Sequence, residues 1–261
     1  MKLRTLVRDG LYLNWALPAA AVPPPPPPLS YELHSAGGRD YVFASALLFR
    51  QQGLHLPALP MLRVSYPQAN LRLYILDGER MPAVLFRSML VPAWVSPAAR
   101  LLGRQPVESA RFRYPRPSED PDPEAGEWRW EVRRGEALAV TARRAAPAVG
   151  EGPRLGSWEA TVRYFRDRRR GYAEVGDRLR RIETEHPPAP VWPMAAELTD
   201  ASLLTRCLPL GASDGDSGWP PLHSAWLCPE IPFVFELGTV RGLDLGSGRL
   251  PQAAASSRSG F

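Results

Sequence analysis

The sequence predicts an α+β, mainly β fold: a largely antiparallel barrel or sandwich with a few short helices on its outside. Three observations predict it. About ten short apolar or alternating segments are separated by Gly, Asp and Pro turns. Only two or three segments carry apolar residues at helical spacing. Strands and helices do not alternate as a parallel βαβ sheet requires, and no internal repeat is visible.

In chain order, the first strand is expected at Leu11 to Trp15, followed by six prolines at 23–28. That run favours a polyproline II rod and cannot join a ladder, so residues 22–29 read as a stiff connector between this strand and the body. YVFASALLF at 41–49 reads as a mostly buried strand, and LRLYIL (71–76) and PAVLFRSML (82–90) as a hairpin turning at Asp77 and Gly78. SPAARLLG at 96–103 has serine in cap position, proline next and glycine past the end, the pattern of a short helix. ARFRY (110–114) resumes strand, and the proline- and acid-rich 115–126 reads as surface loop. EWRWEVRR sets Trp128, Trp130 and Val132 against charged neighbours, and EALAVTARR (136–144) returns beside it through Gly135. SWEATVRYFRD (157–167) repeats Trp158, Thr161, Val162 and Phe165 at helical spacing with Ser157 as its cap. GYAEV and RLRRIETEH form a hairpin about Gly176 and Asp177, and MAAELTD leads to a short helix capped by Asp200. LHSAWL (222–227) and IPFVFELG (231–238) are the last apolar runs. Residues 1–240 therefore read as one domain, and 241–261 as a disordered tail.

Composition excludes several chemistries. The 261 residues are 44% hydrophobic and 23% charged, with 30 prolines, more than twice the usual ~5% share. Of 32 Lys plus Arg residues only Lys2 is lysine. Arginine does not deprotonate in a protein, so Schiff-base chemistry, a P-loop lysine and a pyridoxal lysine are all disfavoured. The net charge of +5 is mild, and the densest basic run, RYFRDRRRG at 163–171, is diluted by Asp167. Nucleic acid is not an expected partner. Two cysteines cannot frame a disulfide scaffold for this length and read as buried free thiols, which suits a reducing, cytoplasmic setting in a chain of bacterial composition. No run approaches the ~18 apolar residues of a membrane span.

Several pieces, in order over roughly 210 residues, resemble the uncharacterised YqjF-like family, a domain of unknown function: LNW at 13–15, Pro28 with Leu29, NLRLY at 70–74, VLFRS at 84–88, RLLGRQPVESAR, then RY at 163–164, EHPPAP at 185–190, LTDASLL and PLHSAW. That resemblance implies an acetoacetate decarboxylase-like fold, an antiparallel cone-shaped β-barrel with an interior pocket and outer helices. True acetoacetate decarboxylases use a Schiff-base lysine, which this sequence lacks beyond Lys2. The family has no established active site from which residues can be carried over.

Candidate site residues come from pattern. Asn70, Arg72 and Tyr74 alternate on one strand and share a face, so Arg72 can clamp a carboxylate while Asn70 and Tyr74 orient it. The competing structural reading is a buried polar network in which a carboxylate such as Glu185 neutralises Arg72. Ser88, Arg163 and Tyr164 are possible pocket neighbours. Glu185 with His186, and His223 beside Ser224, offer acid–base groups, although adjacent strand residues point to opposite faces. GDSG at 215–218 copies a protease serine motif in the wrong context and reads as a loop. The four histidines and two cysteines have no metal-ligand spacing, and no cofactor is expected. The expected partner is a small carboxylate or apolar metabolite. The alternative is a non-catalytic scaffold barrel, and a homodimer is an expectation from fold.

Overall fold

The computed structural model describes residues 2–101, 106–114, 126–210, 219–237 and 243–244. The strands are β1 (Lys2–Pro18), β2 (Ser30–Tyr31), β3 (His34–Ala36), β4 (Arg39–His55), β5 (Val64–Leu76), β6 (Pro82–Val91), β7 (Val107–Ser109), β8 (Arg111–Arg113), β9 (Trp128–Arg134), β10 (Glu136–Arg144), β11 (Arg170–Val175), β12 (Arg178–Glu185), β13 (Trp192–Asp200), β14 (Ser224–Leu237) and β15 (Leu243–Asp244). Three α-helices, α1 (Ser96–Leu101), α2 (Trp158–Arg166) and α3 (Ser202–Cys207), and one 3-10 turn at Ala19–Ala21 complete the described elements.

The strand order β12-β11-β6-β5-β4-β1-β14 returns to β12 through a β12–β14 pairing, so these strands form a ring. From β14 the sheet continues outward through β13, β10, β9 and β8. The ladder is not purely antiparallel, because β6 runs parallel to both β11 and β7. The mainly β expectation holds, and the geometry is a ring of strands with an added layer.

The sheet is apolar on both faces. On one, Leu11, Leu13, Trp15 and Leu17 of β1 pack with Val42 to Leu48 of β4, Leu71 to Ile75 of β5, Trp130, Val140 and α3 in the larger core cluster. On the other, Leu3, Leu54, Tyr66, Met89, Ala173 and Ile182 meet although they come from six different ring strands, which places that face inside. Val95, just before α1, and Ala99 of α1 pack against this inner cluster, while Val162 and Phe165 of α2 pack with Tyr12, Phe43 and Tyr74 in a second inner cluster. Ser157 caps α2 as its sequence requires, accepting from Ala160 N–H at 3.2 Å.

Several expectations are corrected. The first strand is not a short flap before a connector: β1 lies between β4 and β14 in the middle of the ring. It stays paired past Asp9 because that residue adopts φ 53° in a bulge and its carboxylate pairs with Arg50 of β4. The proline run links β1 to β2, anchored by buried Val22 and Leu29. MAAELTD lies within β13, and Asp200 ends that strand; its carboxylate accepts from the Ser202 backbone at 2.9 Å, while Ala201 occupies the cap position of α3. The two last apolar runs merge into β14, where Pro229 and Pro232 lie within one long strand. Beyond residue 240, Leu243–Asp244 still pair with β12, so the sheet reaches into the segment expected to be disordered. Of the loop expected at 115–126 and the GDSG motif, all but Gly126 lies outside the described residues.

The β5–β6 turn is fixed by Asp77, whose carboxylate accepts from the Glu79 and Met81 backbones and from Arg170 and Tyr172. Burial alone would raise this carboxyl, but those bonds hold it below its ordinary value.

At Gly152, φ is +114° and an added Cβ would lie 2.8 Å from the Ala16 methyl, on the strand that carries the interior site. Gly37 also has positive φ, +56°, but open space around it. Gly152→Ala is expected to cost about 2–4 kcal/mol and Gly37→Ala about 1 kcal/mol. Urea denaturation checks this, and equal costs would show that contact with β1 is unimportant.

Candidate functional site

Cross-strand register sets one polar row inside the ring. Ser224 of β14 opposes Asn14 of β1, Asn14 opposes Ser45 of β4, and Ser45 opposes Arg72 of β5. Registered partners share a face, so four polar side chains line up across four strands. All are buried, Asn14 at 0% and Arg72 at 8% exposure.

Arg72 donates Nε–H to Ser45 Oγ at 3.0 Å and Nη2–H to Tyr74 Oη at 3.2 Å. Tyr74 Oη in turn donates to the Phe165 carbonyl of α2 at 2.8 Å and lies 3.1 Å from Ser45 Oγ. The guanidinium carbon is 5.2 Å from the Tyr12 ring centre and 5.8 Å from that of Tyr74. Burial pushes the Tyr12 phenol well above its ordinary value, against the pull of Arg72, so Tyr12 is neutral. Among the described residues no carboxylate pairs with Arg72. Glu185, expected as a neutralising partner, is exposed at the end of β12.

A second network adjoins the row. His34 of β3 contacts Tyr164 Oη through Nε2 at 2.9 Å, Tyr164 donates to Glu32 at 3.1 Å, and Arg168 pairs with Glu32 at 2.9 Å. Because the Tyr164 proton goes to a carboxylate, His34 Nε2 is the donor in its contact. Arg168 lies 4.1 Å over the Tyr164 ring and 5.3 Å from the Tyr74 ring centre. The rest of the basic run is also largely engaged: Arg166 with Asp167, Arg170 with Asp77 and Glu79.

On the other side, His223 Nε2 meets the Pro153 carbonyl at 3.0 Å and therefore carries its proton, leaving Nδ1 as acceptor toward Ser224 Oγ at 3.4 Å. Asn14 Nδ2 donates to Ser224 Oγ and to its carbonyl, which orients the amide and leaves Asn14 Oδ1 buried without a partner. Gln51, Gln68 and Asn70 extend the polar interior as a chain of amide bonds.

Of the residues singled out from sequence, Asn70, Arg72, Tyr74, Tyr164 and His223 surround this interior. Ser88 does not: the ladder steps from Leu71↔Ser88 to Arg72↔Phe86, skipping Arg87 in a bulge, so Ser88 faces away and donates to Glu108 at 3.1 Å. Arg163 is exposed on α2. His186 contacts its neighbour's carbonyl and the Phe233 ring, and Glu185 lines a separate charged cleft of about 220 Å³ with Lys2, Arg169 and Arg170. Sequence reasoning missed Asn14, Ser45, Glu32, His34 and Arg168; only the alternation in YVFASALLF carried a signal for Ser45.

On the opposite, outward face of the sheet, a crevice of about 10 Å³ lies behind Ser45 and Arg72 at the bulge, bounded by Trp15 and Trp219, Arg87, and Leu204 with Leu208. That holds about one water. No group of three or more His, Cys, Asp or Glu side chains gathers among the described residues. Cys228 is buried, its thiol pushed up to about 11, whereas Cys207 is half-buried.

Residues 5–217 match DUF2071, described as "Uncharacterized conserved protein (COG2071)". The chain belongs to this family. Among solved structures, it is similar to the enduracididine biosynthesis enzyme MppR complexed with the condensation product of pyruvate and imidazole 4-carboxaldehyde, with TM-score 0.58, 15% identity, and coverage of 95% of this chain and 91% of that one. The pyruvate complex of MppR gives 0.54 and 15%, covering 94% and 89%. An acetoacetate decarboxylase-like enzyme from Sphingomonas wittichii RW1 gives 0.54 and 15%, covering 93% of each chain. At this identity the likeness shows the fold alone, which is the one the family resemblance implied. No curated protein matches by sequence, and no helix among the described residues is long and apolar enough to cross a membrane.

Burial holds the His223 imidazole below its ordinary 6.5. The unfolded chain therefore takes up the proton first, and the stability neutral His223 contributes is complete above about pH 6.5 and lost as pH falls toward the lower folded value. His34 is lowered by burial and has the same sign. His223→Gln is expected to flatten, not abolish, the fall in stability between about pH 7 and pH 5, measured by urea denaturation at each pH. An unchanged slope contradicts the assignment.

Proposed function

We propose that this DUF2071 protein binds a small, partly apolar carboxylate inside the ring, with Arg72 as its counter-charge and without Schiff-base lysine chemistry. One observation carries the reading. A guanidinium at 8% exposure has hydroxyls and rings around it but no carboxylate among the described residues. A buried charge without a counter-ion costs several kcal/mol, and an incoming anion recovers that cost. Tyr74 and Ser45 hold the guanidinium in place, and Tyr164 and His223 supply polar surroundings. MppR, of the same fold, is solved with pyruvate, which supports a small-acid ligand as a class. The single lysine, Lys2, is 62% exposed and paired with Glu236, far in kind from an interior amine.

Whether chemistry follows binding rests on the acid–base groups present: neutral His223, and His34 with Tyr164 and Glu32. A homodimer and a cytoplasmic location belong to the same proposal. The scaffold reading is favoured by a specific observation too, since the Arg72 guanidinium is already bonded to Ser45 and Tyr74 and lies against the Tyr12 and Tyr74 rings.

The test is thermal stability against small carboxylates, keto acids and neutral apolar controls, with Arg72→Ala and Tyr74→Phe. An acid at a hundred times its Kd adds about 2.7 kcal/mol. The expected result is a raised Tm with one class of acid, lost in folded Arg72→Ala and reduced in Tyr74→Phe. No shift with any acid, in a wild-type protein that is otherwise stable, favours the scaffold.

A further inference from the structure

The β4–β5 connection, LPALPMLR at 56–63, projects its largest side chains into solvent. Met61 is 85% exposed and Leu62 65%, and Leu59 and Val64 are exposed as well. Trp94, 63% exposed after the end of β6, stands close to this loop, since its ring meets Tyr66 of β5 edge-on at 6.2 Å. Five of the ten large apolar side chains exposed among the described residues thus gather at one end of the ring. Soluble surfaces scatter such residues singly, and a cluster of them marks a contact.

Two features say what kind of contact. The loop closes backbone bonds on itself: Leu59 N–H donates to the Leu56 carbonyl at 2.9 Å, Leu62 N–H to that of Leu59 at 3.1 Å, and Arg63 Nε–H to that of Pro60 at 2.8 Å. Pro57 and Pro60 have no N–H to satisfy. A protein partner supplies hydrogen bonds that hydrocarbon cannot, so an apolar tip that bonds to itself suits lipid. The charge is also one-sided. No Asp or Glu lies between Asp40 and Asp77 or between Glu79 and Glu108. The exposed cations nearest the tip and Trp94 in sequence, Arg63 and Arg100, bond backbone carbonyls and no carboxylate among the described residues.

We propose that this tip is a membrane-docking surface for an anionic bilayer. Leu59, Met61, Leu62 and Trp94 enter the headgroup boundary, Arg63 and Arg100 meet lipid phosphates, and the chain lies on the bilayer without crossing it. This docking stands independently of the small-acid reading.

Co-sedimentation of the full chain with vesicles of phosphatidylcholine, alone or with about one-third phosphatidylserine, tests it. The wild-type protein is expected to bind the mixed vesicles, less as salt rises, and to bind phosphatidylcholine alone severalfold more weakly. Met61→Ser with Leu62→Ser, at side chains that touch mostly solvent, is expected to lower binding at least about tenfold with Tm unchanged. Arg63→Gln is expected to cost about fivefold on the mixed vesicles alone. Absence of binding to the mixed vesicles, equal binding to both compositions, or full binding by the double variant overturns the inference. Sedimentation velocity tests the other occupant, a second copy of the chain: a wild-type dimer that the double variant dissociates, without vesicle binding, gives the face to that copy and overturns the inference too.

Discussion

A positive charge sealed inside a ring of strands, with no negative one beside it among the described residues, constrains everything around Arg72. Its Nε and Nη2 protons are taken by Ser45 and Tyr74, and Tyr74 passes its own proton to the Phe165 carbonyl. That last bond ties the guanidinium to α2, the helix that packs in the second inner cluster. By register the row continues to Asn14, which bonds Ser224 beside His223, so a second hydrogen-bonded set on the β1–β14 ladder shares the inner face with the charge. Such a network is costly to leave partly satisfied, and among the described residues Asn14 Oδ1 is left so.

Much of this was legible in the sequence because strand alternation is a short-range rule. Asn70, Arg72 and Tyr74 share a face in the structure as period two demands. Ser88 fails by the same rule. One extra residue at Arg87 reverses the parity of β6, and a bulge leaves no pattern in a single sequence. The long β1 was hidden in a similar way, since Asp9 in a strand reads as an interruption until its positive φ and its bond to Arg50 are seen.

The rest was illegible because it is assembled from remote positions. Glu32 and His34 reach Tyr164 across about 130 residues, and Ser224 meets Asn14 across 210. The ring closes through β12 and β14, whose pairing no turn signal announces. The basic run at 163–171 shows the limit of composition: Arg168 is buried against Glu32 and Arg170 pairs with buried Asp77, while Arg166 pairs with exposed Asp167 and Arg163 is exposed. The family resemblance supplied the fold, and the single lysine, Lys2, lies on an exposed strand end.

The most direct measurement is a crystal structure of the protein soaked in a small carboxylate, refined beside an untreated crystal. The account predicts a carboxylate within hydrogen-bonding distance of the Arg72 guanidinium, with Tyr74 still bonded to the Phe165 carbonyl. A soaked crystal in which Arg72 keeps only Ser45 and Tyr74 as partners, at acid concentrations that saturate other arginine sites, contradicts it and leaves the ring as a self-contained structural network.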